Sequence, residues 1–326
     1  MKKNIAVIAG GDSSEYVVSV KSAVNIMASI DREKYEPWLV EMKGGAWNVM
    51  LDGEVIASID RNDFSFIFNE EKTRFEYAYI IIHGTPGEDG KLQGYFDLID
   101  VPYSSCGTYS AALTFDKYRC NQFLRNFEIK VADSGLLKKG EKIDTELIVD
   151  KLGLPIFIKP NAGGSSFGIT KVKSKEEVEP AIHKAWNESN EAILESFIEG
   201  KEFTCGLVKI NGEKIIFPLT EVLPKNEFFD FEAKYNADRA VEITPARLNE
   251  ALTKKCQELS SKIYDLLNCK GIVRMDYLLQ DGEFWFLEVN TVPGMTATSF
   301  IPQQVGAMGV NLSSLLSKII EEGLAC

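Results

Sequence analysis

The stretch GIVRMDYLLQDGEFWFLEVN, residues 271–290, decides the architecture, because it predicts two antiparallel strands joined by a three-residue turn at Asp281-Gly282-Glu283. Side chains alternate between the two faces of a strand, and the length of the turn sets which positions of the two strands share a face. On this register one face is entirely apolar or aromatic and is expected to lie in the core. Its members are Val273, Met275, Tyr277, Leu279, Trp285, Leu287 and Val289.

The opposite face of the predicted hairpin is polar and collects Arg274, Asp276, Glu288 and Asn290. We expect Asp276 directly across from Glu288, with Asn290 two residues on. Oxygen-bearing side chains of this kind suit Mg²⁺, which keeps substrate phosphates as further ligands. A solvated outer face with a salt bridge is the alternative. We favour a metal site because the second strand runs directly into the rigid turn NTVPGM, residues 290–295.

A second motif is the Gly/Ser loop NAGGSSFG at 161–168, which Lys159 precedes. Small residues let backbone N–H groups approach phosphate oxygens, and a lysine adds positive charge. The flanking segments LPIFIKP (154–160) and GITKV (168–172) both predict strands, whereas a Walker A loop leads from a strand into a helix. The pattern therefore indicates a flexible hairpin lid over phosphates, with a mobile surface turn as the alternative.

The N-terminal region predicts strands that alternate with helices. The short apolar run NIAVIA (4–9) ends in glycine and is typical of a buried parallel strand, and EPWLVEM (36–42) and YAYIIIHG (77–84) predict two more. This alternation indicates a Rossmann-like α/β unit up to about residue 105. The intervening helix has apolar positions at helical spacing, namely Val17, Val20, Val24 and Met27.

Two polar residues of this unit are candidates for a binding site. Glu15 belongs to GGDSSE (10–15), which lacks the GxGxxG pattern of dinucleotide-binding proteins. Its carboxylate either stabilises the first turn of a helix or anchors a substrate ammonium. His83 ends a buried strand at the carboxyl edge, where open α/β sheets bind ligands. A structural histidine is the alternative.

The composition limits the function classes. The chain has 326 residues, enough for two or three domains, and a formal net charge of −12, which disfavours binding to nucleic acid or anionic lipid. No apolar stretch approaches the length of a membrane span. The six cysteines contain no CxxC pair and there are only two histidines, so a zinc site is not expected. A reducing, cytoplasmic compartment fits best.

Taken together, the motifs resemble the D-alanine–D-alanine ligases of the ATP-grasp superfamily. The match runs over nearly the whole chain and in the family's order. The segments that carry it are GGDSSEYVVS (10–19), HGTPGEDGKLQG (83–94), Asp116-Lys117, IKPNAGGSSFG (158–168), ESFIEGKEF (195–203), FFDFEAKY (228–235), RMD (274–276) and EVNTVPGMTATS (288–299).

The resemblance implies an α/β fold, α+β in its C-terminal part, with a three-domain ATP-grasp architecture. The expected domains are a Rossmann-like N-terminal domain at 1–105, a central domain with the phosphate loop at 106–197, and a C-terminal domain with the metal site and an omega-type loop at 198–326. ATP is then held between the central and C-terminal domains. The family also suggests a homodimer.

The resemblance further implies roles for individual residues around ATP. The lysines that match those touching ATP phosphates are Lys117, Lys159 and Lys234. The residues placed against adenine and the ribose hydroxyls are Glu195, Ile198 and Glu202. The ligands for two Mg²⁺ ions, with Mn²⁺ as a substitute, are Asp276, Glu288 and Asn290.

Other matches concern the amino-acid substrates. A hydrogen-bonding triad between the N-terminal domain and the active-site loops matches Glu15, Ser165 and Tyr235. Arg274 and the Gly294 N–H match an oxyanion site, and Ser299 matches a residue that holds the second amino acid's carboxylate. Phe300 stands where leucine is usual in the family and is expected to reshape the acceptor subsite.

The implied reaction has two steps. One D-alanine carboxylate attacks the γ-phosphate of ATP to form an acyl phosphate, and the amine of a second D-alanine attacks the acyl carbon. Since water would hydrolyse the acyl phosphate, the loops at 161–168 and 224–240 are expected to close first. The rivals are a D-alanine–D-lactate ligase, which Tyr235 disfavours, another ATP-grasp carboxylate–amine ligase, and a non-catalytic ATP-binding module.

Overall fold

The computed structural model describes residues 2–164, 167–224 and 240–325 of the chain. The strands within these ranges are β1 (Lys3–Gly10), β2 (Tyr35–Lys43), β3 (Ala46–Leu51), β4 (Glu54–Ser58), β5 (Ser65–Phe68), β6 (Glu71–Arg74), β7 (Tyr77–Ile80), β8 (Ser134–Lys138), β9 (Ile156–Pro160), β10 (Thr170–Val172), β11 (Glu191–Ser196), β12 (Lys201–Ile210), β13 (Glu213–Ile216), β14 (Thr220–Pro224), β15 (Ala240–Ile243), β16 (Val273–Gln280) and β17 (Glu283–Asn290).

The helices alternate with these strands. In the same ranges they are α1 (Tyr16–Ser29), α2 (Lys91–Leu98), α3 (Thr108–Phe115), α4 (Lys117–Arg125), α5 (Thr145–Leu152), α6 (Val178–Ala185), α7 (Glu250–Leu266), α8 (Phe300–Ala307) and α9 (Leu312–Ala325). None of the helices in the described ranges is long and apolar enough to cross a membrane.

The first sheet has the strand order β4-β3-β2-β1-β7, and its β1 pairs in parallel with both β2 and β7. Ile5 to Ile8 of β1 are 0% exposed, as expected for a strand covered on both faces of a parallel sheet. The predicted buried strand and the α/β character of the N-terminal region are therefore confirmed.

The four apolar positions at helical spacing do not form the buried face of α1. Val17 and Val24 are largely exposed, whereas the buried side chains include Ser19 and Ser22. The small hydroxyls fit because α1 lies close to the sheet: the Ser19 Oγ accepts a hydrogen bond from the Gly10 N–H at 2.8 Å and donates one to the carbonyl of Ile81 at 2.7 Å. Hydrogen-bonded serines thus replace apolar side chains at the contact.

The second sheet has the order β10-β9-β11-β8, and its neighbouring strands are antiparallel. Ile156 and Ile158 of β9 pack with apolar residues of α6 in a separate core cluster. The Gly/Ser loop connects β9 to the antiparallel β10, so the predicted strand–loop–strand arrangement is confirmed. Ser165 and Ser166 of this segment lie outside the described residues.

The third sheet has the order β15-β14-β12-β16-β17, with β13 paired to β12. Its hairpin, β16–β17, differs from the prediction in two places. The turn has two residues, Asp281 and Gly282, both with positive φ, and Gln280 pairs with Glu283. The register then shifts beside Asp276, because Phe286 pairs with Tyr277 while Glu288 pairs with Asp276, so that Leu287 forms a bulge.

The shorter turn shifts the pairing by one residue, and the bulge shifts it back. The predicted pairing therefore holds at the polar end of the hairpin but not near the turn. Asp276 lies across from Glu288, as predicted. Near the turn the core positions of β17 are Phe284 and Phe286, which are 3% and 1% exposed, and not Trp285 and Leu287, which are half-buried. The bulge directs Leu287 into the cleft described next.

Candidate functional site

A cavity of about 1310 Å³ opens between the three sheets. All of the predicted site residues that lie in the described ranges line it. They are Glu15, His83, Lys117, Lys159, Glu195, Ile198, Glu202, Arg274, Asp276, Glu288, Asn290, Gly294, Ser299 and Phe300. The remaining three predicted site residues, Ser165, Lys234 and Tyr235, lie outside the described residues, as does most of the predicted closing loop at 224–240.

The polar face of the β16–β17 hairpin forms one wall of this cleft. Arg274 donates to both carboxylate oxygens of Asp276, from Nε at 2.9 Å and from an Nη at 2.8 Å. The Asn290 amide donates to Asp276 at 3.2 Å. Because Asp276 is only 6% exposed, these side-chain partners and not solvent stabilise its charge.

The donor set of this wall fits a magnesium ion. Asp276, Glu288 and Asn290 supply only oxygen ligands from one face of paired strands, and Mg²⁺ prefers such ligands. The two carboxylates are paired here with cations: Asp276 with Arg274, and Glu288 with the Lys117 ammonium at 3.3 Å. The negative charge of this wall is therefore offset here by Arg274 and Lys117, and a divalent cation could offset it in the same way.

Lys117 lies opposite this wall, at the first position of α4. The Asp116 side chain caps that helix by accepting a hydrogen bond from the Arg119 N–H. The Lys117 ammonium also donates to the carbonyl of Gly163 at 2.5 Å. This lysine therefore connects the Gly/Ser loop to the carboxylate of Glu288 on the facing sheet.

A second lysine lies deeper, on β9. The Lys159 ammonium is 2.6 Å from the Glu195 carboxylate, and the Asn121 amide donates to the same carboxylate at 3.1 Å. Burial acts to lower the pKa of Lys159, but the carboxylates of Glu195, Glu288 and Glu202 outweigh it and raise that pKa. The lysine is therefore a permanent positive charge in the cleft.

The segment after β11 forms the far end of the cleft. Residues 195–202 line it continuously, and the Lys171 ammonium lies 4.0 Å above the ring of Phe197. Leu278 and the bulged Leu287 face this segment from the hairpin. This end of the cleft combines apolar side chains with the Glu202 carboxylate, a combination that can hold a purine nucleoside.

At the opposite end, Glu15 faces the Gly/Ser loop. A Cβ atom on Gly164 would come within 2.4 Å of the Glu15 carboxylate, so only glycine allows the loop to approach this closely. Glu15 is 7% exposed. This arrangement places its carboxylate beside the loop residue that precedes Ser165, although Ser165 itself is not described.

His83 bridges the first sheet and the turn after β17. Its Nδ1 is 2.9 Å from the carbonyl of Val292 and its Nε2 is 3.4 Å from the Ser22 hydroxyl. Burial lowers the pKa of His83 although Glu15 and the Val292 bond act against it, so the imidazole is neutral and Nδ1 carries the proton that the carbonyl accepts.

The turn that carries Gly294 is held from α1. The Ser22 hydroxyl accepts a hydrogen bond from the Met295 N–H at 3.2 Å, and the Asn25 amide donates to the Met295 carbonyl at 2.7 Å. Nearby, the Ser299 hydroxyl accepts from the Thr296 N–H at 3.0 Å. The two peptide groups on either side of Met295, the first of which follows Gly294 directly, are thus fixed by side chains of α1.

Sequence reasoning missed Glu88. Its carboxylate accepts hydrogen bonds from the Gly84 N–H at 2.8 Å and from the Val292 N–H at 3.2 Å, and so joins the first sheet to the turn after β17. Burial and the nearby Glu15 carboxylate raise the pKa of Glu88 to about 8. The residue lies in the segment HGTPGEDGKLQG, where only His83 was singled out.

The raised pKa of Glu88 predicts a pH dependence of stability. Because the folded protein holds this proton more tightly than the unfolded chain, the free energy of unfolding should fall as the pH rises from about 5 to about 8. Glu88→Gln removes the titrating group. The free energy of unfolding of the wild type minus that of the variant should therefore decrease as the pH rises over the same interval. Denaturant unfolding at several pH values measures this difference, and parallel curves would contradict the assignment.

Comparison with known proteins agrees with the sequence resemblance. The family models described as D-ala D-ala ligase N-terminus and D-ala D-ala ligase C-terminus match residues 4–106 and 123–321. The D-alanine–D-alanine ligase of Bacteroides fragilis is 55% identical over 322 residues, 98% of this chain and 99% of that protein.

Two solved structures are similar over their whole length. The D-Ala:D-Ser ligase VanG of Enterococcus faecalis is 33% identical and superposes with a TM-score of 0.88, covering 99% of this chain and 100% of that one. The D-alanine–D-alanine ligase of Bacillus anthracis complexed with ATP is 30% identical with a TM-score of 0.79, covering 100% and 98%.

Proposed function

Because the chain belongs to the D-alanine–D-alanine ligase family, we propose that it is an ATP-dependent, ADP-forming ligase that joins two D-alanines into D-alanyl-D-alanine, a peptidoglycan precursor. The observation that carries this proposal is the composition of the cleft. One cavity is lined by three oxygen-bearing side chains of the hairpin, by two lysines, and by a partly apolar end that can hold a nucleoside. A carboxylate–amine ligase needs these elements together.

In this proposal ATP lies between the second and third sheets. Adenine occupies the end of the cleft along Glu195 to Ile198, with Glu202 on the ribose hydroxyls. Lys117, Lys159 and Lys234 hold the phosphates. The positions of Lys117 and Lys159 opposite the hairpin wall, together with the length of their side chains, support this role. Asp276, Glu288 and Asn290 would hold two Mg²⁺ ions, which would offset phosphate charge during transfer.

The protein's own groups then account for the two chemical steps. Glu15 holds the ammonium of the first D-alanine so that its carboxylate reaches the γ-phosphate and forms D-alanyl phosphate. Arg274 and the Gly294 N–H hold the oxyanion when the second amine attacks the acyl carbon. Ser299 and Phe300 hold that second D-alanine, and His83 fixes the turn that carries Gly294 through its bond to Val292.

The contacts that follow Gly294 support its oxyanion role. A donor contributes most when it is already aimed at the place where charge develops. Ser22 and Asn25 hold the N–H and the carbonyl of Met295, the residue after Gly294. These two bonds restrict the chain immediately after Gly294.

The remaining expectations follow from this assignment. Dividing the chain at 1–105, 106–197 and 198–326 assigns one of the three larger sheets to each of three domains, and the two-stranded β5-β6 sheet falls in the first. We place the reaction in the cytoplasm, where ATP is available, and propose a homodimer. Ser165 and Tyr235 complete the triad with Glu15.

Release of ADP tests the function directly. We expect turnover with D-alanine alone, none with L-alanine alone, and D-alanyl-D-alanine as the product by mass spectrometry. Turnover that requires D-lactate in addition to D-alanine would select the depsipeptide-forming alternative. Binding of ATP without ADP release under all three conditions would indicate a non-catalytic nucleotide-binding protein.

A further inference from the structure

A carboxylate near Ser299 in the cleft has no part in the chemistry described so far. Each D-alanine arrives with an ammonium group and a carboxylate, yet only the first ammonium has been given a partner, Glu15. We propose that Glu242 binds the ammonium of the second D-alanine and accepts the proton that this group must lose before it attacks. This inference rests on the proposed function and adds an acceptor-recognition residue to it.

Glu242 lies at the acceptor end of the cleft. It belongs to the edge strand β15 and is half-buried, and its side chain lines the cavity together with Arg274 and Ser299. The Gln303 amide donates to its carboxylate at 2.6 Å and also to the carbonyl of Thr298 at 2.7 Å. A single side chain of α8 thus ties Glu242 to the segment that ends in Ser299.

The surroundings of Glu242 suit a proton acceptor. Burial raises its pKa, while the Gln303 hydrogen bond and the positive charge of Arg274 act in the opposite direction. A carboxylate of raised pKa takes a proton from an ammonium more readily than an ordinary one does. On the neighbouring strand, the residue paired with Glu242 is the uncharged Val222.

Other acidic groups of the cleft are committed elsewhere. Asp276 is held by Arg274, and Glu195 by Lys159. Glu288 contacts Lys117, and Glu88 accepts two backbone N–H groups. Glu242, which also lines the described part of the cleft, is instead joined through Gln303 to the Thr298–Ser299 segment.

The proton balance of the second step follows. The ammonium transfers one proton to the Glu242 carboxylate, and its nitrogen keeps the electron pair. That pair forms the C–N bond to the acyl carbon of D-alanyl phosphate, and the C–O bond breaks with its electrons going to phosphate. The second proton leaves the nitrogen for the departing phosphate, and Glu242 returns its proton to water.

A specificity follows from the same placement. D-lactate carries a neutral hydroxyl where D-alanine carries an ammonium, so a carboxylate at this point favours the amino acid by charge. Loss of a charged hydrogen-bond partner costs binding more than loss of a neutral one. The Glu242 carboxylate therefore favours amide formation with D-alanine over ester formation with D-lactate.

The test is Glu242→Gln, which keeps the shape and removes the charge. We expect kcat/KM for D-alanine as acceptor to fall by about 10- to 100-fold while KM for ATP stays unchanged. In an equimolar mixture of D-alanine and D-lactate, the ratio of depsipeptide to dipeptide should rise by a similar factor. Glu213→Gln, the same change on the exposed strand β13, is the matched control and should leave both values at the wild-type level.

A second variant covers the case in which Glu242→Gln fails to fold. Gln303→Met keeps the carboxylate but removes the amide that aims it, so acceptor kcat/KM should fall in the same direction and by less. An unchanged acceptor kcat/KM and product ratio in a folded Glu242→Gln enzyme would overturn the inference and leave the ligase function intact. A wild-type protein that forms no dipeptide would instead remove the proposed function.

Discussion

Replacing Asp276 by Asn and Glu288 by Gln together is expected to lower Mg²⁺-dependent ADP formation by about a thousandfold or more, since a metal in a phosphoryl-transfer site supplies several kcal/mol of charge stabilisation. The two amides preserve size and can still meet Arg274 and Lys117, so the main change is the loss of two negative charges that face each other across the hairpin. Steady-state ADP release measures activity, and Mn²⁺ binding followed by electron paramagnetic resonance measures the metal itself.

Glu283→Gln is the matched control for this double variant. Glu283 lies on the same strand as Glu288 and is likewise paired with a lysine, Lys255, at 2.6 Å, but it is at the turn and outside the cleft. It should bind Mn²⁺ and turn over as the wild type does. A double variant that keeps its thermal unfolding midpoint, binds Mn²⁺ and retains full activity would exclude Asp276 and Glu288 as metal ligands.

The hairpin shows what the sequence determines and where it misleads. Strict alternation placed Asp276 across from Glu288 correctly, but only because a two-residue turn and a one-residue bulge together shift the register as a three-residue turn would. The Asp281-Gly282 pair is a strong signal for the shorter turn. No comparable local signal marks the bulge at Leu287.

The errors elsewhere have a common cause. The buried face of α1 includes Ser19, whose hydroxyl accepts a hydrogen bond from the Gly10 N–H and donates one to the Ile81 carbonyl, and periodicity of apolar residues cannot detect such bonds. Glu88 and Glu242 escaped notice because their partners, Val292 and Gln303, are distant in sequence and carry no motif of their own. The sequence motifs located the cleft. The charges within it depend on contacts between residues that are distant in sequence, which the motifs do not reveal.

Arg274→Lys is expected to lower the rate of dipeptide formation by about 100- to 1000-fold, the usual effect of removing one oxyanion donor. The guanidinium reaches its position through a two-point contact with Asp276 and lies 5.3 Å from the ring of Phe300. A lysine keeps the charge but not this fork. Because the defect falls on the second step, D-alanyl phosphate should accumulate and hydrolyse, so that more ADP than dipeptide is released.

The ratio of ADP to dipeptide separates this effect from a general loss of structure. Arg247→Lys is the matched control, because Arg247 makes the same fork to Glu221, at 2.8 and 3.1 Å, and neither residue lines the cleft. Its loss should cost stability while the ratio stays at one. If Arg274→Lys slows both products equally and the ratio also remains at one, Arg274 acts before the acyl phosphate forms and the oxyanion role belongs to other donors.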